Sequence, residues 1–199
     1  IVPRGGRGLI ERVQRESRIP VFSHLDGMVH TYVHEAADPV MARELVVNAK
    51  MRRTGICGAT ETLLVDAAVT DTLLPGLLQA LAAADCTIRG DEAVRRIMPQ
   101  AEAANEADWS TEYLAPIIAV KVVAGLDEAI APINRHGAQH TEAIVTSDEA
   151  AAARFLNEVD AGIVMHNTST QFADGGGFGR GRELVIPPGE RQDRGPVGE

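Results

Sequence analysis

Cysteine, positive charge and long apolar runs are all scarce in this chain, and each shortage excludes something. There are two cysteines, Cys57 and Cys86. They make neither a disulfide framework nor a metal-spaced cluster, so no metal is expected and a reducing cytoplasm is. Lys and Arg number 19 against 28 Asp and Glu, a net charge of −9. Nothing offsets repulsion from phosphates, which argues against a nucleic-acid or anionic-membrane partner. No apolar run is long enough to span a bilayer, and the opening residues do not read as a signal peptide. The first residue, Ile1, already lies in an apolar strand-like start, so the sequence reads as a piece of something longer.

What is present is a 199-residue chain, 45% hydrophobic, able to bury one or two ordinary cores. Ile1-Val2-Pro3-Arg4-Gly5-Gly6-Arg7-Gly8 reads as a strand end and a glycine-rich turn before a helix reaching about Ser17. Free amides there, with Arg4 and Arg7, could cradle a phosphate. Strands are expected at residues 19–22, 28–33, 62–65, 117–123, 142–146 and 162–165. Helices are expected from Asp38-Pro39, over 67–84 with a break at Pro75, over 91–98, from Asp127 to about His136, and over 149–159. Pro132 inside the fourth of these should cost on the order of 3 kcal/mol unless that helix kinks. Residues 99–110 read as a surface connection. Strand and helix alternate throughout, which indicates an α/β fold with a mostly parallel sheet. The glycine-dense stretch after Asp174 reads as a tail, mobile or ordered by another subunit.

Arg53-Thr54-Gly55-Ile56-Cys57-Gly58-Ala59-Thr60-Glu61-Thr62 holds the residue of most chemical interest. Cys57 stands before Gly58 in a loop between a helical pattern and a strand. Buried structural packing is the commoner fate of a free cysteine, but Gly55 and Gly58 on either side let backbone amides and a substrate approach its sulfur. Lys50, Arg52 and Arg53 precede it, where positive charge favours a thiolate and attracts an anion. The same cations also suit a helix C-terminus. Cys86 lacks a basic or histidine neighbour and reads as inert packing.

These segments, with Glu112-Tyr113-Leu114-Ala115-Pro116, residues 133–146, 167–179 and Arg194-Gly195-Pro196-Val197-Gly198, together resemble the gamma-glutamyl phosphate reductases of the aldehyde dehydrogenase superfamily. The resemblance implies an aldehyde-dehydrogenase-like catalytic domain with a partial Rossmann-type cofactor domain. It divides the chain into residues 1–33, the later part of the NADP-binding domain; 34–160, the catalytic domain; 161–176, a return through the cofactor domain; and 177–199, a truncated oligomerisation arm. It implies NADP(H) as cofactor, glutamyl 5-phosphate as small-molecule substrate and a homo-oligomer in the full-length form. By the same resemblance Cys57 is the nucleophile that makes a thioacyl enzyme. Arg4, Gly5 and Gly6 cradle the cofactor pyrophosphate, and Glu112 holds the nicotinamide ribose.

Residues 23–27 lack the glutamate that oxidising members use to activate water, which fits a reductase that must keep water off its thioester. Arg52 or Arg53 could hold a substrate anion and Glu61 or Asp174 the substrate ammonium, while His140 and Asn167 could meet phosphate or carboxylate. For each, a scaffold hydrogen bond is the competing role. The chain departs from the family pattern at Met28, Val29, Gly177 and Pro187-Pro188, and the last pair puts the arm's strand pairing in doubt. Two other readings stay open: a non-catalytic remnant that only folds and associates with full-length subunits, and an acylating aldehyde dehydrogenase that uses coenzyme A.

Overall fold

The structure is a computed structural model that describes residues 7–21, 27–173, 183–185 and 196–198. Seven strands form one parallel sheet: β1 (His30–Val33), β2 (Thr62–Asp66), β3 (Thr87–Gly90), β4 (Glu102–Ala103), β5 (Ile117–Val123), β6 (Thr141–Val145) and β7 (Ile163–His166). Their order is β4-β3-β5-β2-β1-β6-β7. The helices are α1 (Arg7–Glu16), α2 (Pro39–Met51), α3 (Leu74–Ala83), α4 (Glu92–Ile97), α5 (Leu126–His136) and α6 (Glu149–Glu158). A separate antiparallel pair joins β8 (Glu183–Val185) to β9 (Pro196–Gly198).

The central strands are apolar because both of their faces are covered. Leu63 and Val65 of β2 point into one core with α2 and α3, through Val46, Leu74, Leu77, Leu78 and Leu81. Leu64, between them in sequence, points into the other core, with Ile130 and Ile133 of α5 and Phe155 of α6. This two-residue period, buried on both sides, is what parallel sheets require.

Helix boundaries follow local chemistry. Asp38 caps α2, its carboxylate accepting from the Met41 amide at 2.8 Å, and Pro39 opens the first turn. Asp91 does more than cap α4. One carboxylate oxygen accepts from Val94 N at 2.9 Å and the other from Val122 N at 2.8 Å, fastening the helix to β5. Pro75 marks the expected restart, as the second residue of α3.

Two expectations change. Residues 19–21 form no strand. Strand β3 and the edge strand β4 arise where a helix end and a surface connection were expected. The helix expected from Asp127 to about His136 is present as α5, and it runs through Pro132 because Ala129, Ile130 and Ile133 are buried on either side of it and their packing outweighs one lost hydrogen bond. β1 and β7 are hydrogen-bonded members of the same sheet as β2–β6.

Candidate active site

The loop carrying Cys57 leaves α2 at Arg52 and re-enters the sheet at Thr62. Its tip is a β-turn closed by Ala59 N donating to the Ile56 carbonyl at 3.0 Å, with Cys57 and Gly58 at the corner. Four further bonds anchor it. Thr60 N donates to Ala49 O at 3.0 Å, Glu61 N donates to Val29 O at 2.8 Å, and the Thr60 hydroxyl pairs with those of Thr31 and Thr170 at 2.7 and 3.1 Å. Gln171 clamps the outside, its side-chain amide donating to the carbonyls of Ala49 and Arg53. Gly58 packs closely beside it, since a Cβ there would lie 3.2 Å from Thr170 O. Cys57 is half-buried on this fixed turn, whereas Cys86 is buried. Burial pushes the Cys86 thiol up to about 11, so it is inert at neutral pH.

Gly27 brings the site together. A Cβ on it would sit 2.6 Å from Glu112 Oε1 and 2.7 Å from both the Cα and the carbonyl oxygen of Cys57. The absent side chain leaves room for the Glu112 carboxylate beside the Cys57 backbone. Glu112 lies in a knitted segment. Arg89 and the Tyr113 hydroxyl both donate to Asp108 Oδ1, at 2.8 and 2.7 Å, and Asn105 N donates to Asp108 Oδ2 at 2.7 Å. Burial alone would raise the Asp108 carboxyl, but these three donors outweigh it and hold it below the usual carboxylate range.

The other expected site residues divide. Arg52 and Arg53 are exposed at the end of α2, Arg52 lying 5.1 Å over the Phe172 ring. His140 is buried just before β6, its Nδ1 sharing a hydrogen bond with the Thr141 hydroxyl at 2.8 Å. Asn167 sits past the far end of β6. Its side-chain oxygen accepts from Thr146 N and its amide donates to Thr146 O, both at 2.9 Å, so it completes the sheet end and does not join the Cys57 turn. Glu61 also has a task other than the expected one: at 0% exposure it holds the equally buried Lys50. Arg4, Gly5, Gly6 and Asp174 lie outside the described residues. Gly27, Gln171 and the Lys50–Glu61 pair were not found from sequence, and no local pattern signals them.

Among the described residues no group of His, Cys, Asp and Glu is placed to hold a metal, and no helix is long and apolar enough to cross a membrane. A cavity of about 240 Å³ lies elsewhere on the sheet, against Thr62, Trp109, Lys121 and Arg135. Neither Cys57 nor Glu112 lines it.

Comparison with known proteins shows what the whole chain is similar to. The aldehyde dehydrogenase family model matches residues 100–182. The gamma-glutamyl phosphate reductase of Methylorubrum extorquens is 62% identical over 198 residues, which is 100% of this chain and 46% of that protein. The same enzyme from Rhodospirillum rubrum is 58% identical over the same shares. The crystal structure of gamma-glutamyl phosphate reductase from Thermotoga maritima superposes with a TM-score of 0.93 at 42% identity, covering 99% of this chain and 48% of that one. The chain thus spans about half the length of the curated relatives it matches.

Proposed function

Because the chain belongs to the gamma-glutamyl phosphate reductases of the aldehyde dehydrogenase family, we propose that it carries the nucleophilic half of a reaction converting L-glutamyl 5-phosphate to L-glutamate 5-semialdehyde and phosphate. The observation that carries this reading is the fixed turn that holds Cys57 half-buried beside the Glu112 carboxylate. The Cys57 thiolate attacks the acyl carbon, a C–S bond forms, and the C–O bond to phosphate breaks with the electron pair leaving on phosphate. The developing oxyanion is stabilised by the Cys57 amide, whose position the turn fixes before reaction. Arg52 and Arg53, exposed beside the turn, attract the anionic substrate. Sγ leaves as thiolate when the aldehyde is released.

Glu112, whose carboxylate lies beside the Cys57 backbone, suits the hydroxyls of a cofactor ribose. NADP(H), when bound, supplies the hydride that reduces the thioester, with Glu112 holding its ribose and Arg4, Gly5 and Gly6 its pyrophosphate. Because this chain spans about half of the relatives' length, it is expected to turn over poorly alone. We place the full-length form in the cytoplasm as a homo-oligomer.

The test is a single-turnover experiment with an acyl phosphate. The expected result is release of up to one equivalent of phosphate per chain, a matching mass increase on the Cys57 peptide, loss of both in Cys57→Ala, and no response to coenzyme A. Phosphate release that survives Cys57→Ala, or acylation that needs coenzyme A, would overturn the reading.

A further inference from the structure

Lys50 and Glu61 are both 0% exposed and joined as an ion pair. A sealed ion pair is an odd choice for stability, because desolvation cancels most of the attraction and an apolar pair of similar volume does as well or better. Its placement suggests another use. Lys50 ends α2, Glu61 opens the path into β2, and between them lies the Cys57 turn. The second oxygen of Glu61 accepts from the Leu114 amide at 3.2 Å, two residues beyond Glu112. Lys50 Nζ also lies 5.9 Å over the Tyr113 ring.

Leu114 shows that this contact matters. Its φ is +52°, a left-handed conformation that costs a branched side chain and must be imposed by its surroundings. Packing of its own side chain does not impose it, since that side chain is 48% exposed. The groups holding the turn are the Glu61 carboxylate on its amide and the anchored Tyr113 ring before it. Burial raises the Glu61 carboxyl above its ordinary value, and the Lys50 ammonium and the Leu114 and Tyr113 amides offset that only in part.

We propose that the buried Lys50–Glu61 pair positions the reaction centre: through the Leu114 amide it fixes the left-handed turn that keeps the Glu112 carboxylate against Gly27 and the Cys57 backbone. Lys50 and Glu61 are positioning residues, and neither touches substrate. The assignment rests on the role of Cys57 proposed above and adds a determinant of its geometry.

Single variants strand a buried charge and unfold the protein for reasons unrelated to positioning, so the test compares two neutral double variants. Lys50→Met/Glu61→Gln keeps an oxygen for the Leu114 amide, whereas Lys50→Met/Glu61→Met removes it at nearly the same volume. The Gln variant also buries an unpaired NH2, so a purely structural role makes it the worse of the two. Positioning predicts the reverse at the turn. Hydrogen-exchange protection of the Leu114 amide is retained in the Gln variant and falls by about tenfold in the Met variant. The rate of Cys57 alkylation by iodoacetamide, with Cys86 as slow internal reference, stays at the parent value in the first and departs from it in the second. Equal protection and equal Cys57 rates in the two variants would overturn the positioning role. A parent whose Cys57 labels no faster than Cys86 would instead overturn the proposed function.

Discussion

Single atoms decide whether Cys57 and Glu112 can share a site, and Gly27 is where the margin is smallest. Gly27→Ala puts a methyl group 2.7 Å from two backbone atoms of Cys57, and backbone on an anchored turn cannot swing aside as a flexible side chain would. The expected result is a destabilisation of about 1–3 kcal/mol by urea titration together with a changed Cys57 alkylation rate. Gly76→Ala supplies the opposite sign. Nothing lies within 4 Å of that position in α3, so the change should stabilise by about 0.5–1 kcal/mol through helix propensity. Equal effects from the two would show that Gly27 is not a contact point. At this scale the sequence was only partly legible. Cys57 is singled out by the family resemblance, since on local composition alone a buried structural cysteine is the favoured reading. The task of Glu61 was hidden, because a carboxylate near a nucleophile looks the same in sequence whether it faces a substrate or is sealed against Lys50. Gly27 was hidden for a related reason, since its contacts come from residues 30 and 85 positions away along the chain.

Among the elements, those with strong local signals were legible and those that depend on a neighbour were not. The Asp38-Pro39 start of α2 and the apolar run of β5 follow from the residues themselves. The four residues of β3 hold one fully inward apolar side chain, Ile88, and they become a strand because β5 inserts beside them. The segment from Asn105 to Leu114 is likewise held by distant partners, and Asp108 is its hub. Its carboxyl is depressed in the folded state, so the unfolded chain binds that proton more tightly. The stabilisation is therefore complete above the ordinary carboxylate value of 3.8 and is lost as pH falls through the folded one. Asp108→Asn should lower stability at neutral pH, and its unfolding midpoint should converge with the parent's as the solution is acidified. Hydrogen exchange should show the loosening first in residues 105–114. Midpoints that run parallel down to strong acid would show that Asp108 does not anchor the segment.

Across the whole molecule, the alternation of strand and helix made the α/β class legible, but the strand order was not. Parallel pairing leaves no turn signature, and nothing local says that β5 enters between β3 and β2 before the chain crosses to β6. That topology ties the two helical layers to the same strands. Tyr32 and Val33 of β1 face opposite cores, as do Leu63 and Leu64 of β2 and Ile144 and Val145 of β6. Losing either layer strips one face of every central strand, so neither core should melt alone. Leu78→Ala on one side and Phe155→Ala on the other, both fully buried, should cost about 2–5 and 3–5 kcal/mol. Each should move one shared transition, with far-ultraviolet circular dichroism and the fluorescence of Trp109, the single tryptophan, reporting the same midpoint. Two transitions, with each variant shifting a different one, would mean that the layers are independent. The turn at Cys57 would then be held only by α2 and the α3 side of the sheet, rather than by the sheet as one rigid platform.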